Sequence, residues 1–183
     1  MYSQNTMKLT MAGLLIAIGI MIPMYSPLRL LLPPASFTLA SHTAIFIAMF
    51  ISPPVAVIVA AGTTIGFLLG GFPIIIVLRA ATHVVFAFLG ALYLSRAYNL
   101  SAIKLRAFSF VIGVIHAVGE VIVVSVFFFG GNISAAHLEQ GFFVSVLLLI
   151  GAGSVVHSMV DFEIAQAILL PLRKQRKIAA YFV

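Results

Sequence analysis

The stretch that decides the fold is Ile74–Leu94, which reads IIIVLRAATHVVFAFLGALYL. It is apolar almost throughout, it does not alternate between apolar and polar residues, and only Arg79 carries a permanent charge. An apolar run of about 20 residues is long enough to cross the hydrocarbon core of a bilayer as an α-helix. Lipid offers the backbone no hydrogen-bond partners, so such a run has to satisfy its own. We therefore predict a membrane helix here.

The composition of the whole chain extends this prediction beyond one helix. Of its 183 residues 63 % are hydrophobic and only 8 % are charged, with a mean hydropathy of +1.23. A soluble domain has roughly a quarter of its residues charged, so the composition excludes an ordinary soluble enzyme, a disordered chain and a nucleic-acid-binding module. The chain has no cysteine, which excludes a disulfide framework, a thiolate metal site and a cysteine nucleophile.

Apolar runs on both sides of this stretch predict an all-α integral membrane protein with six transmembrane helices. Prolines and glycines separate some of the runs, as at Ser52-Pro53-Pro54 and Gly70-Gly71-Phe72-Pro73. The second and third runs are short for a bilayer core of about 30 Å, so we expect them to pack inside the bundle or to thin the membrane locally. We predict a single six-helix domain, residues 1–183, with spans at 8–24, 37–51, 55–69, 74–94, 107–129 and 141–172.

The basic residues predict the orientation. An even number of spans puts both termini on one side, and eight of the ten Lys and Arg fall on that side. The positive-inside rule makes this face cytoplasmic, so we expect a multi-pass protein of the bacterial plasma membrane with both termini inside. The net charge of +6 is then a signal of topology and of contact with lipid head groups, with no nucleic acid as partner. The eight residues are Lys8, Arg96, Lys104, Arg106, Arg173, Lys174, Arg176 and Lys177.

Ionisable residues inside the spans are the candidates for function. An ionised side chain in hydrocarbon costs about 2.5 to 3.5 kcal/mol on insertion scales and marks a functional site by default. Arg79 and His83 lie four residues apart in the fourth span, and His116 and Glu120 have the same spacing in the fifth. Counted from the helix ends, Arg79 and Glu120 lie toward the outside. We predict that all four converge on an outward-facing binding site, although a purely structural Arg79–Glu120 ion pair is the alternative.

The remaining buried candidates favour structural roles. His157 and Asp161 are four residues apart in the sixth span, with Glu163 two residues further along. Counting places the two acids nearer the cytoplasm, where we expect them to hold the inner half together or to meet Arg96 or Arg106. We expect His42, in the second span, to satisfy a neighbouring carbonyl. Arg29, in the first outer linker, is expected to be a solvated or snorkelling loop residue.

Motifs of catalysis and of cofactor binding are missing from the sequence. Zinc often takes two histidines at i, i+4 on one helix, whereas each pair here has one histidine, so a site would need ligands from several helices; we predict no metal and no cofactor. No serine lies in a Gly-x-Ser-x-Gly turn and no Gly-rich Lys loop of the Walker type occurs. We therefore predict no catalytic residues and no ATP hydrolysis by this chain.

Small residues on the first helix complete a recognisable pattern. Gly13 and Ala17 are spaced i, i+4, which lets another helix approach closely; that helix belongs to this bundle or to another subunit. With six short spans in about 180 residues, the chain resembles the substrate-binding S-components of energy-coupling factor (ECF) vitamin transporters. Three segments are most similar to the niacin-specific branch: Ala35–His42 (ASFTLASH), Phe46–Pro53 (FIAMFISP) and Leu78–His83 (LRAATH).

The resemblance implies a role in transport. S-components bind a vitamin near the outer face, dock through the first helix onto a shared membrane coupling subunit, and are driven by two ATPase subunits. The family's docking motif is Ala-x-x-x-Ala; Gly13-x-x-x-Ala17 matches it with one small residue replaced by another. The later helices, which carry Arg79, His83, His116 and Glu120, are among the regions from which the family draws its binding residues.

The residues favour a small carboxylate as the substrate. Arginine grips a carboxylate with two parallel hydrogen bonds, and nicotinate offers a carboxylate, an apolar ring and one ring nitrogen. A histidine or Glu120 could meet that nitrogen, and an aromatic residue such as Tyr25, Phe37, Phe72 or Phe127 could cover the ring. Pantothenate, pyridoxine and hydroxymethylpyrimidine remain alternatives for the same role. From other classes, a stand-alone proton-coupled carrier and a small intramembrane enzyme remain open.

Overall fold

Helices dominate the computed structural model, which describes residues 4–32, 35–97, 100–131, 139–175 and 179–182. The described residues form six helices, α1 to α6, and one antiparallel β-hairpin, β1–β2. Their bounds are α1 Gln4–Tyr25, β1 Arg29–Leu32, β2 Ala35–Thr38, α2 Thr43–Met49, α3 Pro53–Leu69, α4 Ile74–Leu94, α5 Ala102–Phe129 and α6 Phe143–Lys174.

Four of these helices are long and apolar enough to cross a membrane, namely α1, α4, α5 and α6. The helix α3 is apolar too but has only 17 residues. Large apolar side chains point outward along the bundle, with Leu69 82 % and Phe129 74 % exposed, as expected of a protein whose outer surface meets lipid. An all-α membrane protein is therefore the fold class, while the number of crossings and their direction stay predictions.

The second segment differs from its prediction. Instead of one helix over residues 37–51, the chain runs from β2 through a turn into α2, which has seven residues. Ala40 in that turn has a φ of +68°, in the left-handed region that interrupts a helix. At the other end, Ser52 is extended before Pro53, because proline disfavours the helical conformation in the residue before it. The continuous helix predicted over 37–51 is therefore wrong.

The short helix α2 forms the centre of the bundle. Every residue from His42 to Ile51 is buried, and α2 packs against α1, α3, α4 and α6. A helix that is apolar on all sides belongs in the interior, and Phe46 on α2 packs against Phe86 of α4 and Phe162 of α6. Packing inside the bundle, one of the two outcomes expected for a short segment, is what α2 does.

The other helices agree with their predicted spans apart from their ends. The bounds of α4 are those predicted, whereas α5 starts at Ala102, five residues before the predicted span. The hydroxyl of Ser101 accepts a hydrogen bond from the backbone N–H of Lys104 and so caps that start. In α6 the residues Phe143–Ala152 are π-helical and Gly153–Lys174 are α-helical.

The hairpin and the basic residues near the helix ends lie at opposite ends of the bundle. The hairpin pairs Arg29 with Thr38 and Leu32 with Ala35, and it directly follows the last turn of α1. The described basic residues near the helix ends lie at the start of α1, the end of α4, the start of α5 and the end of α6. Arg176 and Lys177, which the predicted orientation also used, fall outside the described residues.

Candidate functional site

A small cavity lies at the hairpin end of the bundle. Its volume is about 110 Å³, and it is walled by the hairpin, the turn before α2, and the helices α3, α4, α5 and α6. Pockets for drug-sized ligands have volumes of roughly 300–1,000 Å³, so this one suits a ligand of few heavy atoms. Charged and imidazole side chains from several elements line it, namely Arg29, His42, Arg79, His83, His116, Glu120 and His157.

Glu120 is the polar centre of one wall. Its Oε2 accepts hydrogen bonds from Arg79 Nη2 at 2.6 Å and from Ser154 Oγ at 2.9 Å. Its Oε1 lies 3.5 Å from His83 Nε2 and 3.4 Å from His116 Nε2. The helical spacing of four residues puts His116 and Glu120 of α5 on one face, and the matching pair on α4 faces them. A carboxylate buried this deeply is stable only with such partners.

Arg79 keeps one donor unused. Its Nη2 is bound to Glu120, but its Nε is buried and has no hydrogen-bond partner among the described residues. The side chain is 12 % exposed and lines the cavity. An unmade hydrogen bond on a buried charged group is costly, so the guanidinium is suited to a ligand that accepts hydrogen bonds.

A second buried carboxylate, Asp161 of α6, fixes the turn before α2. Its Oδ1 accepts the backbone N–H of Ala40 at 2.7 Å, and its Oδ2 accepts the backbone N–H of His42 at 2.9 Å. His42 Nδ1 lies 3.0 Å from the same Oδ2. These bonds hold the left-handed residue Ala40 and the imidazole of His42 in place. Asp161 therefore positions the floor of the cavity from outside it.

The imidazole of His42 lies close to those of three other histidines. The ring of His42 lies 4.8 Å from that of His83, 4.6 Å from that of His116 and 5.0 Å from that of His157, measured between centroids. His157 Nε2 is also 3.1 Å from the hydroxyl of Ser41. The turn before α2 thus joins the groups on α4 and α5 to those on α6.

Three aromatic rings line the cavity beside these polar groups, those of Phe37, Phe67 and Phe72. Phe72 precedes α4 and stacks on Phe67 at 4.7 Å between ring centroids. Phe37 of β2 packs against His157 at 5.2 Å, and its ring lies where a Cβ on Gly153 would be only 2.7 Å away. Glycine at position 153 therefore allows the hairpin to pack closely on α6.

The comparisons with known proteins point to one family. Over 160 residues the chain is 41 % identical to the niacin transporter NiaX of Lactococcus lactis subsp. cremoris (strain MG1363), a match that covers 86 % of this chain and 71 % of the relative. The chain belongs to this niacin transporter family. No family model and no solved structure matches it. The relative confirms the resemblance to the niacin-specific branch of the S-components.

The four residues that the sequence predicts to bind the substrate lie together in this member of the niacin transporter family. Arg79, His83, His116 and Glu120 line the same cavity, as the paired i, i+4 spacings and the depth argument predict. The Arg79–Glu120 ion pair is also present. Contact with a substrate stays a prediction for each of the four. Of the aromatic residues proposed as ring covers, Phe37 and Phe72 line the cavity, whereas Tyr25 and Phe127 do not.

Three residues lie in places other than those predicted. Asp161 meets neither Arg96 nor Arg106, because it binds the turn before α2. His42 and His157 line the cavity, and the structural roles expected for both stay predictions. Of the two acids on α6, only Glu163 meets a predicted partner, with its Oε1 3.6 Å from Arg106 Nε on the exposed surface. The signal for a site on α6 was the spacing of His157 and Asp161, which repeats that of His116 and Glu120.

Arg29 is more than a solvated loop residue. Its Nε donates to Thr38 Oγ1 at 3.2 Å across the hairpin, and its Nη2 donates to the carbonyl of Pro23 near the end of α1. It also lines the cavity. Arg29 therefore attaches the hairpin to α1 above the site.

Gly13 and Ala17, the predicted docking residues, lie on the outward face of α1. Both are exposed, and a Cβ on Gly13 would meet no atom of the described chain within 4 Å. The inward face of α1 carries other residues, Ala12, Leu15, Gly19 and Pro23. Packing inside this bundle, the first of the two uses open to these small residues, is therefore wrong, and docking to another subunit stays a prediction.

Proposed function

We propose that this chain is the substrate-capture S-component of an ECF importer and that its substrate is niacin in the form of nicotinate. The observation that carries the proposal is the guanidinium of Arg79, which lines a small cavity and has an unpartnered Nε among the described residues. A carboxylate is the group that such a donor binds best. The relative that is 41 % identical is named a niacin transporter, which supports the same substrate.

In the proposed complex the nicotinate carboxylate binds Arg79. Glu120 holds the guanidinium through Nη2, and Nε is the donor proposed for the ligand. The pyridine ring lies near Phe37 and Phe72, and the imidazoles of His83 and His116 border its nitrogen. A neutral analogue gains less from this site than a carboxylate does, because only the carboxylate accepts a hydrogen bond in which both partners are charged.

The proposed topology has six crossings with both termini in the cytoplasm. The second crossing consists of β2, the turn and α2, so the seven residues of α2 do not have to span the bilayer alone. This topology turns the hairpin and the cavity to the outside and the basic ends of α4, α5 and α6 to the cytoplasm, in accord with the positive-inside rule. The protein is then a multi-pass protein of the bacterial plasma membrane.

The proposed partners are a membrane coupling subunit and two ATPase subunits. The chain has no Walker-type loop, so the proposal assigns ATP hydrolysis to those subunits and no catalysis to this chain. The outward face with Gly13 and Ala17 is the proposed docking surface, because small residues let helices approach closely in lipid.

Calorimetric titration of the detergent-purified protein tests the substrate. Nicotinate, nicotinamide, pantothenate and pyridoxine are titrated in turn. We expect nicotinate to bind most tightly and nicotinamide, which lacks the carboxylate, to bind at least about tenfold more weakly, the loss of one charge-assisted hydrogen bond. Equal affinity for nicotinate and nicotinamide would show that Arg79 does not bind the carboxylate. Binding of pantothenate alone would identify pantothenate as the substrate instead of nicotinate.

Uptake of radiolabelled nicotinate tests the ATP-driven mechanism. The chain is expressed in a host without niacin uptake, alone and together with an ECF coupling subunit and its ATPases. We expect uptake only in the second strain and loss of that uptake when the ATPase is inactivated. Uptake by the chain alone that collapses with the proton gradient would instead identify a stand-alone carrier.

A further inference from the structure

Three buried histidines from three separate elements lie close together. His42 precedes α2, His83 lies on α4 and His116 lies on α5. One ring nitrogen of each lies within 4.8 Å of those of the other two. Their ring centroids are 4.6 to 4.8 Å apart. Three imidazoles so close together are the donor set that a divalent transition metal ion prefers.

The donors of this cluster are not used up by the protein. His83 Nε2 and both ring nitrogens of His116 are buried without a hydrogen bond in the part of the chain that the structure describes. Buried polar atoms are otherwise almost always paired. Unpaired nitrogens on two neighbouring rings that line a cavity therefore indicate a ligand.

His42 carries the outer contact that metal-binding histidines typically have. Its Nδ1 lies 3.0 Å from the carboxylate of Asp161. A carboxylate on one ring nitrogen fixes the tautomer and raises the basicity of the other nitrogen, which is then the metal ligand. In His42 the other nitrogen is Nε2.

The spacing fits a tetrahedral ion after small ring rotations. Zinc–nitrogen bonds of about 2.0–2.1 Å place tetrahedral ligands about 3.3 Å apart, so the widest gap has to close by about 1.5 Å. Glu120 Oε1 already lies 3.5 Å from His83 Nε2 and 3.4 Å from His116 Nε2. This oxygen therefore borders two of the three proposed ligands.

We propose that His42, His83 and His116 bind one Zn²⁺ ion in the wall of the cavity, with Glu120 Oε1 next to the fourth coordination position. The ion joins the turn before α2 to α4 and α5. Arg79 neutralises only one of the two negative charges on Glu120 and Asp161. The remaining negative charge offsets part of the positive charge of the ion. This site goes beyond nicotinate binding and does not depend on it.

A competing set of ligands shares His42. His42, His157 and Asp161 also place one donor each within 4.8 Å of the others. In that set, however, the Asp161 oxygens already accept the backbone N–H groups of Ala40 and His42, and His157 Nε2 is 3.1 Å from Ser41 Oγ. The unpaired nitrogens lie on His83 and His116, which favours the first set.

Metal titration of the chelator-stripped protein in detergent tests the site. Zn²⁺ is added against a competing chromophoric chelator, and Co²⁺ is added as a probe whose visible absorption reports tetrahedral coordination. The variants are His83→Asn and His116→Asn, which each lose a proposed ligand, and the matched control His157→Asn, which loses a histidine outside the set. Size-exclusion profiles and melting temperatures show that each variant is folded.

We expect the parent to bind one Zn²⁺ and to give the tetrahedral Co²⁺ spectrum. His83→Asn and His116→Asn lose the spectrum and at least tenfold in affinity, whereas His157→Asn keeps both. No binding by the parent, loss of binding in the control alone, or equal losses in all three variants would overturn the proposal. Titration of the parent with nicotinate in the presence of chelator separates the two proposals. A parent protein that binds nicotinate there but binds no Zn²⁺ in the metal titration would overturn this site and leave the proposed function in place.

Discussion

Arg79 of α4 donates a hydrogen bond from Nη2 to Glu120 Oε2 of α5 across 2.6 Å, with both side chains almost fully buried. This pair offsets part of the cost of burying two isolated charges in an apolar bundle. It also turns the guanidinium so that Nε stays unpaired among the described residues while the side chain lines the cavity. The ion pair and the proposed contact with a carboxylate are therefore compatible, because they use different nitrogens.

Replacing Arg79 by lysine tests the recognition of the carboxylate. Arg79→Lys keeps the charge but removes the planar donor fork, so we expect the affinity for nicotinate to fall about 10- to 100-fold, the loss of about one charge-assisted hydrogen bond. The measurement is calorimetric titration of the purified protein. Affinity for nicotinamide should change much less, so the selectivity between the two ligands should shrink.

The matched control for this substitution is Arg106→Lys. Arg106 pairs with Glu163 at 3.6 Å, and the two side chains are 71 % and 57 % exposed. Exposed pairs contribute about 0–1 kcal/mol, so affinity and stability should both be unchanged. Equal nicotinate affinity in Arg79→Lys and Arg106→Lys would remove Arg79 from the proposed site.

Neutralising Glu120 should cost stability. Glu120→Gln leaves Arg79 as an uncompensated buried charge and weakens the bond from Ser154. Breaking a buried pair by removing one partner costs about 3–5 kcal/mol. We expect a clear fall in the melting temperature in detergent, and nicotinate should restore part of it because a ligand carboxylate replaces the lost charge. A variant with the melting temperature of the parent would show that the pair adds no stability.

Asp161 should be needed for the shape of the cavity floor. Asp161→Asn removes the charge that accepts the N–H groups of Ala40 and His42, and each hydrogen bond to a charged group contributes about 1.5–3 kcal/mol. We expect both lower stability and weaker nicotinate binding, although Asp161 does not line the cavity. The control is Glu163→Gln, two residues along the same helix and exposed, which should change neither quantity.

Gly153 should determine how closely the hairpin packs on α6. In Gly153→Ala the new Cβ would lie 2.7 Å and 3.0 Å from ring atoms of Phe37, so the ring and the strand that carries it have to shift. We expect weaker nicotinate binding with the helical content unchanged. Gly151→Ala is the matched control, because its nearest neighbour, Val121 Cγ2, would be at an ordinary 3.4 Å.

Much of the site was predictable because it consists of ionisable residues within apolar runs, where such residues are rare. A permanent charge at Arg79 and three i, i+4 pairs of ionisable residues within apolar runs identify α4, α5 and α6 as the helices with polar faces. Helical periodicity then places His83 with Arg79 and Glu120 with His116. The contacts between the helices, such as Ser154 with Glu120, depend on packing and leave no periodic signal.

The depth of Asp161 could not be counted along the chain. The count assumed spans that begin at the membrane surface, but α6, the helix that carries Asp161, has 32 residues, which at about 1.5 Å per residue extend beyond a hydrocarbon core of about 30 Å. The turn before α2 extends into the bundle and contacts Asp161 at the depth at which Asp161 lies. That turn depends on the left-handed conformation of Ala40. Alanine seldom adopts this conformation, so the sequence does not predict it.

A bulky residue on the outward face of α1 should separate substrate capture from transport. In Gly13→Trp the new Cβ would meet no atom of the described chain within 4 Å and the position is exposed, so nicotinate binding and stability in detergent should match the parent. Uptake in cells that contain the coupling and ATPase subunits should be lost, because close helix contact in lipid requires small residues. Val118→Trp on the exposed face of α5 is the control and should support normal uptake. Normal uptake by Gly13→Trp would remove this face from the docking surface, and loss of nicotinate binding would show that the residue also supports the fold.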